Sequence, residues 1–338
     1  MRIAKRELAA RLCATSGLLS LIEAMPKRDV MIVLTYHRIG NPWETPYDPG
    51  TFSATAEEFE EQIAYLKRHF HICTLDEALA MVMGQASFNT GVLVTFDDGY
   101  LDNYSLAFPI LRSYSAQAVF FLPTAFVGTS RLPWWDAIAY TIKQTRNDVI
   151  RLEYPERAVL DLNRNGMADI ISVALRLYKH PATTDRNRFL NELQIACESG
   201  FPVEDNQRIF MNWREAREMQ QCGMVFGSHT DTHEILSRLS AEQQVVELRR
   251  SREILERELN CRIDALAYPV GAKDTFNDET IMALRENDYH AAFSYYGGFN
   301  LPGRTQPFDI PRFGVGRKRH ARFRLQLSLG AVTARTWF

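Results

Sequence analysis

Two short stretches hold the residues whose types and spacing could do chemistry. The first is Thr95-Phe96-Asp97-Asp98-Gly99, closing the apolar run Gly91-Val92-Leu93-Val94. That run reads as a buried strand. Adjacent carboxylates at its end repel each other and are costly to desolvate, a combination suited to holding a cation or moving a proton. Gly99 eases the turn, so one carboxylate can hold a metal while the other faces a substrate. An ordinary Asp-Gly turn is the alternative for this stretch alone. The second stretch is Met224-Val225-Phe226-Gly227-Ser228-His229-Thr230-Asp231-Thr232-His233. If a helical turn follows its apolar run, His229 and His233, four apart, lie on one face. Two imidazoles and one carboxylate make a three-ligand site that leaves a position for water.

These two stretches resemble the first two motifs of the polysaccharide deacetylases, the NodB-homology group of carbohydrate esterase family four. The resemblance covers roughly residues 30–126 and 209–315. It implies metal-dependent hydrolysis of N-acetyl groups on an amino-sugar-containing polysaccharide or oligosaccharide. Asp97 would then be the general base, and Asp98, His229 and His233 the ligands of Zn²⁺, with Co²⁺, Ni²⁺ or Mn²⁺ as alternatives. Tyr268-Pro269-Val270-Gly271 falls where the family's third motif lies. The resemblance implies that Tyr268, Pro269 and Val270 stand beside the substrate, the Val270 N–H helping to bind an oxyanion. A plain turn is the alternative.

Two departures stand out. Ala267 occupies the position of the motif arginine that orients the base, and the family's late Asp-Trp and Leu-x-His segments are missing. Arg312, in Asp309-Ile310-Pro311-Arg312, is a candidate replacement or substrate contact, with a surface salt bridge as the plainer reading. Tyr36-His37 resembles the N-terminal strand that supplies the acid histidine in the exopolysaccharide-modifying branch. His37 is also singled out by position. Of the eight histidines, 37, 69, 71, 180, 229, 233, 290 and 320, only His37 closes an apolar parallel strand at the mouth where Asp97 and His229 lie. An imidazole carries and releases a proton near neutral pH, which suits a general acid.

The elements that must position these residues follow from patterning. Val30 to His37 reads as a first strand. Thr55 with Glu58 and Thr74 with Glu77 have capping-box spacing ahead of two helices, with a short strand at Phe70–Cys73 between them. Asn103 to Tyr114 reads as a helix kinked or divided by Pro109, and Gln117 to Leu122 as a strand. The β–α alternation indicates parallel pairing. Residues 127–208 break it and read as a mostly helical insertion, expected on the active-site side. Within it, Trp135 of the Trp134-Trp135 pair could stack on a sugar, the alternative being an anchor to the core. Helices opening at Asn212 and Ser240 follow, then strands at Ala265–Pro269, His290–Ser294 and Phe308–Phe313. About seven strands with intervening helices suit an α/β fold, a (β/α) barrel with its chemistry at the C-terminal strand ends. The resemblance adds that the barrel is irregular and seven-stranded. The domains expected are an N-terminal amphipathic segment over 1–28, the barrel with its insertion over 29–320, and a C-terminal tail over 321–338.

Composition sets the outer bounds. The chain has 338 residues, 46% apolar and 24% charged, with a formal net charge of −2. These values fit a soluble globular protein and give no electrostatic case for nucleic acid. Cys13, Cys73, Cys197, Cys222 and Cys261 are scattered and odd in number, which argues against a disulfide framework and for a reducing compartment such as the cytoplasm, or simply for buried thiols. The apolar part of residues 1–28 is short for a signal peptide. The segment reads as one helix with Leu8, Leu12, Leu19 and Ile22 on a shared face and Lys5, Arg6 and Arg11 nearby. It would dock on its own domain or touch an anionic membrane surface. No stretch is long enough to span a bilayer. Two other functions fit the same residues: a non-catalytic glycan-binding barrel, and a metal-dependent amidase or deformylase acting on a small molecule.

Overall fold

The computed structural model describes residues 2–87, 89–200, 208–316 and 320–335. The Lys5 and Arg6 side chains and the Arg317-Lys318-Arg319 run lie outside the described residues. The chain forms two compact units. One comprises Met1–Gly40, Ser53–Gly128 and Ile209–Phe338, the other Asn41–Phe52 and Thr129–Arg208.

The first unit is a nearly closed barrel of parallel strands. They are β1 (Met31–Tyr36), β2 (Gly91–Phe96), β3 (Val119–Leu122), β4 (Val225–Ser228), β5 (Ala265–Ala267), β6 (Ala291–Ser294), β7 (Ile310–Pro311) and β8 (Phe313–Gly314). Their order around the sheet is β7-β6-β5-β4-β3-β2-β1-β8, with His71–Ile72 also pairing to β2. Only Arg312 separates the two edge strands. One extended segment therefore pairs with β6 through Ile310 and Pro311 and with β1 through Phe313 and Gly314, bringing the sheet's ends together. Counted as one broken strand, it completes the seven that the pattern predicts.

Alternation along the strands sorts their side chains. Met31, Val33, Leu93, Phe121, Ala265, Phe293 and Ile310 point inward. Cys73, Leu75, Ala78 and Met81, leading into and along the helix Leu75–Val82, join them at the N-terminal end of β2. Ile32, Leu34, Val92, Val94, Phe120 and Leu266 point outward against Phe59, Ile63, Leu66, Leu248 and Leu255 of the surrounding helices. The capping boxes at Thr55–Glu58, Thr74–Glu77, Asn212–Glu215 and Ser240–Gln243 are all formed. Pro109 does divide its helix. A π-helical turn over Asn103–Ala107 precedes the α-helix Phe108–Ser113, and Pro109, lacking an N–H, sits in the first turn of the latter.

The termini differ from expectation. The N-terminal segment is two helices, α1 (Arg2–Thr15) and α2 (Leu18–Ala24), broken where Gly17 takes φ 79°. That left-handed residue resets the helical phase, so Leu19 is buried while Leu8 and Leu12 are exposed. Both helices pack on a third, α3 (His320–Thr333), which occupies most of the expected tail. No helix among the described residues is long and apolar enough to cross a membrane.

The second unit packs the helices Trp134–Gln144, Met167–Lys179 and Arg186–Cys197 with an antiparallel hairpin, Val149–Leu152 and Ala158–Asp161. Its core includes Ile138, Ile142, Ile150, Leu160, Ile170, Phe189 and Leu193. The Asn41–Phe52 stretch joins it through the Asp48 N–H, which donates to Asp136, and through Thr45 and Tyr47 carbonyls that accept from Lys143. Trp134 stacks on Tyr178 at 4.4 Å and meets Trp135 edge-on. Trp135 is only 5% exposed, so the sugar-stacking expectation fails: the indole has no open face to offer.

Candidate active site

Strand register brings the chemistry to one end of the barrel. Tyr36 pairs with Phe96, and the Asp97 N–H donates to the Tyr36 carbonyl, so His37 and Asp97 leave neighbouring strands at one level. On the far side of β3, the His229 N–H donates to the Leu122 carbonyl. Asp97 follows Leu93 and Thr95 on the inward face. Asp98 would point outward, but its φ of 73° and that of Gly99, 70°, turn the chain back. A Cβ on Gly99 would stand 2.6 Å from Leu122 Cδ2, so this turn demands glycine.

His229 and His233 are not on a helix. They belong to a loop in which Thr230 takes φ 65° and His233 takes φ 59°. A left-handed β-branched residue is costly and is kept where the surroundings fix it. Here the Thr230 N–H donates to Ser228 Oγ and the His233 N–H to Thr230 Oγ1. Asp231, which the sequence reading passed over, holds the loop from beneath. It accepts from Thr124 Oγ1 at 2.6 Å and pairs with Arg250 at 2.9 Å. The signal available was an acid set between two threonines and two candidate ligands.

The result is a buried triangle of donor atoms. Asp98 Oδ1 lies 3.5 Å from His229 Nε2 and 3.5 Å from His233 Nε2, and the two rings are 4.7 Å apart. Ligands of a tetrahedral zinc at about 2.0–2.1 Å stand about 3.3 Å from one another, so the two edges that meet at Asp98 have the right length. His229 Nδ1 donates its N–H to the Ala267 carbonyl at 2.7 Å, which turns Nε2 toward Asp98, where it donates to the carboxylate and would offer its lone pair to an ion that took that proton's place. The donor set therefore fits a divalent ion of zinc type. Burial opposes the Asp98 charge, but a hydrogen bond from His229 and the fields of His37 and His233 outweigh it and leave the carboxyl at about 2. Burial and the neighbouring His229 push His233 down to about 3, the neutral form a ligand needs. For His229, burial is outweighed by Asp97 and Asp98, which raise it. Another set of metal-competent side chains, His71, Cys73 and Glu77, lies at the opposite end of β2, where Glu77 is engaged in capping a helix.

Arg312 overturns its surface reading. It is fully buried at the seam between β7 and β8. Its Nη1 and Nη2 donate to the two oxygens of Asp97, each at 2.8 Å, and its Nε donates to the Ser294 carbonyl at 3.1 Å. It contacts no open cleft and is not placed as a substrate contact. Despite burial, this guanidinium and His229 hold Asp97 below the ordinary carboxylate range. The sequence shows a cation inside an apolar extended run, Ile310-Pro311-Arg312-Phe313, but its burial follows only from the sheet closing around it.

His37 stands by the carboxylates without joining the triangle. It is an electrostatic neighbour of both Asp97 and Asp98, and its ring meets Tyr295 edge-on at 5.7 Å. Ser53 Oγ accepts from its N–H, and Asn103 donates to its carbonyl. Tyr295 is held close by small neighbours: a Cβ on Gly314 would stand 2.1 Å from its hydroxyl. Val270 takes φ 64°, and among the described residues nothing accepts its N–H. Tyr268 is placed differently from expectation. It is buried, stacks on Phe276 at 4.1 Å, and donates its hydroxyl to the Phe308 carbonyl, in the outer layer rather than beside a substrate. Pro269 is buried as well.

The family model described as "Polysaccharide deacetylase" matches residues 89–292. A curated protein of Bacillus subtilis (strain 168), named "Putative polysaccharide deacetylase YxkH", is 23% identical over 261 residues. That match takes in 76% of this chain and 61% of the relative, so the chain spans under two thirds of that protein's length. Among solved structures, the deacetylase PplD of Streptococcus pyogenes, in complex with acetate, superposes with a TM-score of 0.57 at 20% identity, covering 88% of this chain and 97% of its own. IcaB of Ammonifex degensii gives a TM-score of 0.57 at 21% identity, covering 90% and 98%. These likenesses are of fold, whereas the family model matches well over half of the sequence and includes both carboxylates and both histidines. The chain belongs to the polysaccharide deacetylase family.

Proposed function

We propose that this chain is a metal-dependent N-deacetylase acting on an amino-sugar-containing polysaccharide or oligosaccharide, in exopolysaccharide biosynthesis. The observation that carries the reading is the buried Asp98–His229–His233 triangle set beside an Asp97 clamped by Arg312. A pure binding module has no use for a buried base next to such a triangle.

Asp98, His229 and His233 would hold the ion, Zn²⁺ in the first instance with Co²⁺, Ni²⁺ or Mn²⁺ as alternatives, and the ion would supply Lewis acidity toward water and the acetyl carbonyl. Asp97 takes the proton from the attacking water, and its lowered pKa keeps it in the ionised form that can accept one. Arg312 does not touch the reacting atoms. It fixes the Asp97 carboxylate in one plane through two parallel bonds, the part that the family's motif arginine plays from the position of Ala267. The Val270 N–H donates to the developing oxyanion. His37 gives its proton to the departing amine.

The test is acetate release from a chitooligosaccharide by purified protein reloaded with zinc, compared with small N-acetyl and N-formyl amides. Turnover of the glycan well above that of the small amides supports the reading. Turnover confined to the small amides makes the chain a small-molecule amidase, and no turnover of either makes it a binder.

A further inference from the structure

We propose that α1 and α2 form a docking face for an anionic membrane surface. The two helices lie on α3, and their charges are sorted by side. Glu7 and Glu23, the acids of α1 and α2, are both engaged by α3: Arg322 donates to Glu7 at 3.0 Å, and Arg324 clamps Glu23 with two bonds of 2.9 Å. Ala10 and Leu19 are buried. The outward side is apolar. Leu8 and Leu12 are each 59% exposed, Leu21 is 68% exposed, and Leu18 and Met25 are about half exposed. Leu8 and Leu12 stand one turn apart on α1. Leu18, Leu21 and Met25 follow a three-and-four spacing along and just past α2, so α2 carries an apolar stripe and α1 an exposed leucine pair.

Charge selects the occupant. The α1 sequence carries Arg2, Lys5, Arg6 and Arg11 against Glu7 alone, and Arg11 is exposed. Exposed leucines on a helix whose sequence carries four cations to one acid, with exposed Arg11 beside them and both acids neutralised by α3, match the headgroup region of an anionic bilayer. A second copy of the chain would bring the same excess of cations against itself. Neither helix is long enough to span, so the contact is peripheral. This proposal does not rest on the chemistry of the barrel mouth.

Flotation of the full chain with phosphatidylcholine vesicles, with and without phosphatidylglycerol, tests it. Binding is expected only with phosphatidylglycerol, weakening on the order of 10-fold at high salt. A Leu8→Ser, Leu21→Ser double variant is expected to bind about 10-fold more weakly or worse, with an unchanged melting temperature and unchanged acetate release from a soluble glycan. If the double variant melts early, Arg11→Glu takes its place and should lower binding through charge alone. The proposal fails if the parent does not float with phosphatidylglycerol, or if the well-folded variants float as well as the parent. It also fails if the parent is a dimer that the double variant converts to monomers while neither floats.

Discussion

Asp97 is bound on one side by a guanidinium and neighbours the Asp98–His229–His233 triangle on the other. Its position is fixed by charge, while the proposed role depends on accepting a proton. Asp97→Asn separates the two. The amide keeps the shape and one acceptor for Arg312 but cannot take a proton. Metal content should stay near that of the parent while turnover falls on the order of 10²–10⁴-fold. Near-normal turnover would show that the attacking water needs no help from this carboxylate. His37 is tested by the leaving group. His37→Ala should bind metal normally and lose turnover on amides, whose amine must be protonated to depart. An activated ester, whose leaving group departs unprotonated, should be spared. Equal loss on both substrates assigns His37 to positioning alone.

The seam between β7 and β8 is where fold and chemistry share one residue. Arg312 donates to the Ser294 carbonyl of β6, to Thr95 of β2 and to Asp97 just beyond it, so it ties the closing edge of the barrel to the base. Lysine at this position offers a point charge where a planar fork is needed. Arg312→Lys is expected to fold and to lose roughly 10²-fold in kcat, since a base misplaced by about 1 Å costs that much. With the two-bond clamp lost, the Asp97 pKa rises, so the acid limb of the kcat profile should move to higher pH. An unmoved limb at equal rate loss would make the arginine a mere strut. Arg312→Met is a harsher change. It leaves a buried carboxylate unpaired and should destabilise the barrel by about 3–5 kcal/mol. Much at this scale was legible beforehand. The apolar runs ending at His37, Asp98 and His229, and the capping boxes at Thr55 and Thr74, are local signals, and the structure bears each out as an element. What was hidden is non-local. The burial of Arg312 depends on the sheet closing around it. The loop at Thr230 and His233 depends on Asp231 reaching Thr124 and Arg250. The outward turn of Tyr268 depends on which face of β5 meets Phe276. None of these can be read from spacing, because each is decided by a partner far away in the chain.

At the scale of the molecule, the triangle joins chain segments that only folding brings together: Asp98 follows β2, and the histidines follow β4 on the far side of β3. An unfolded chain presents no such site, so an ion bound there stabilises the folded barrel by mass action, by about 2.7 kcal/mol at a free concentration 100 times the dissociation constant. For a unit of this size that corresponds to a melting temperature higher by roughly 5–10 °C. Asp98, held at about 2 by its neighbours, is already ionised at any pH near neutral and need lose no proton to bind. Asp98→Ala removes the ligand that lies 3.5 Å from both imidazoles and should abolish the zinc-dependent rise along with metal content and turnover. The metal-free melting temperature of the variant should fall, because the interactions that hold this carboxyl at about 2 outweigh its desolvation and are lost with it. Calorimetry of parent and variant with chelator and with zinc measures all of this without a substrate. A variant that keeps both a full equivalent of zinc and the full thermal shift would place the ion elsewhere on the chain.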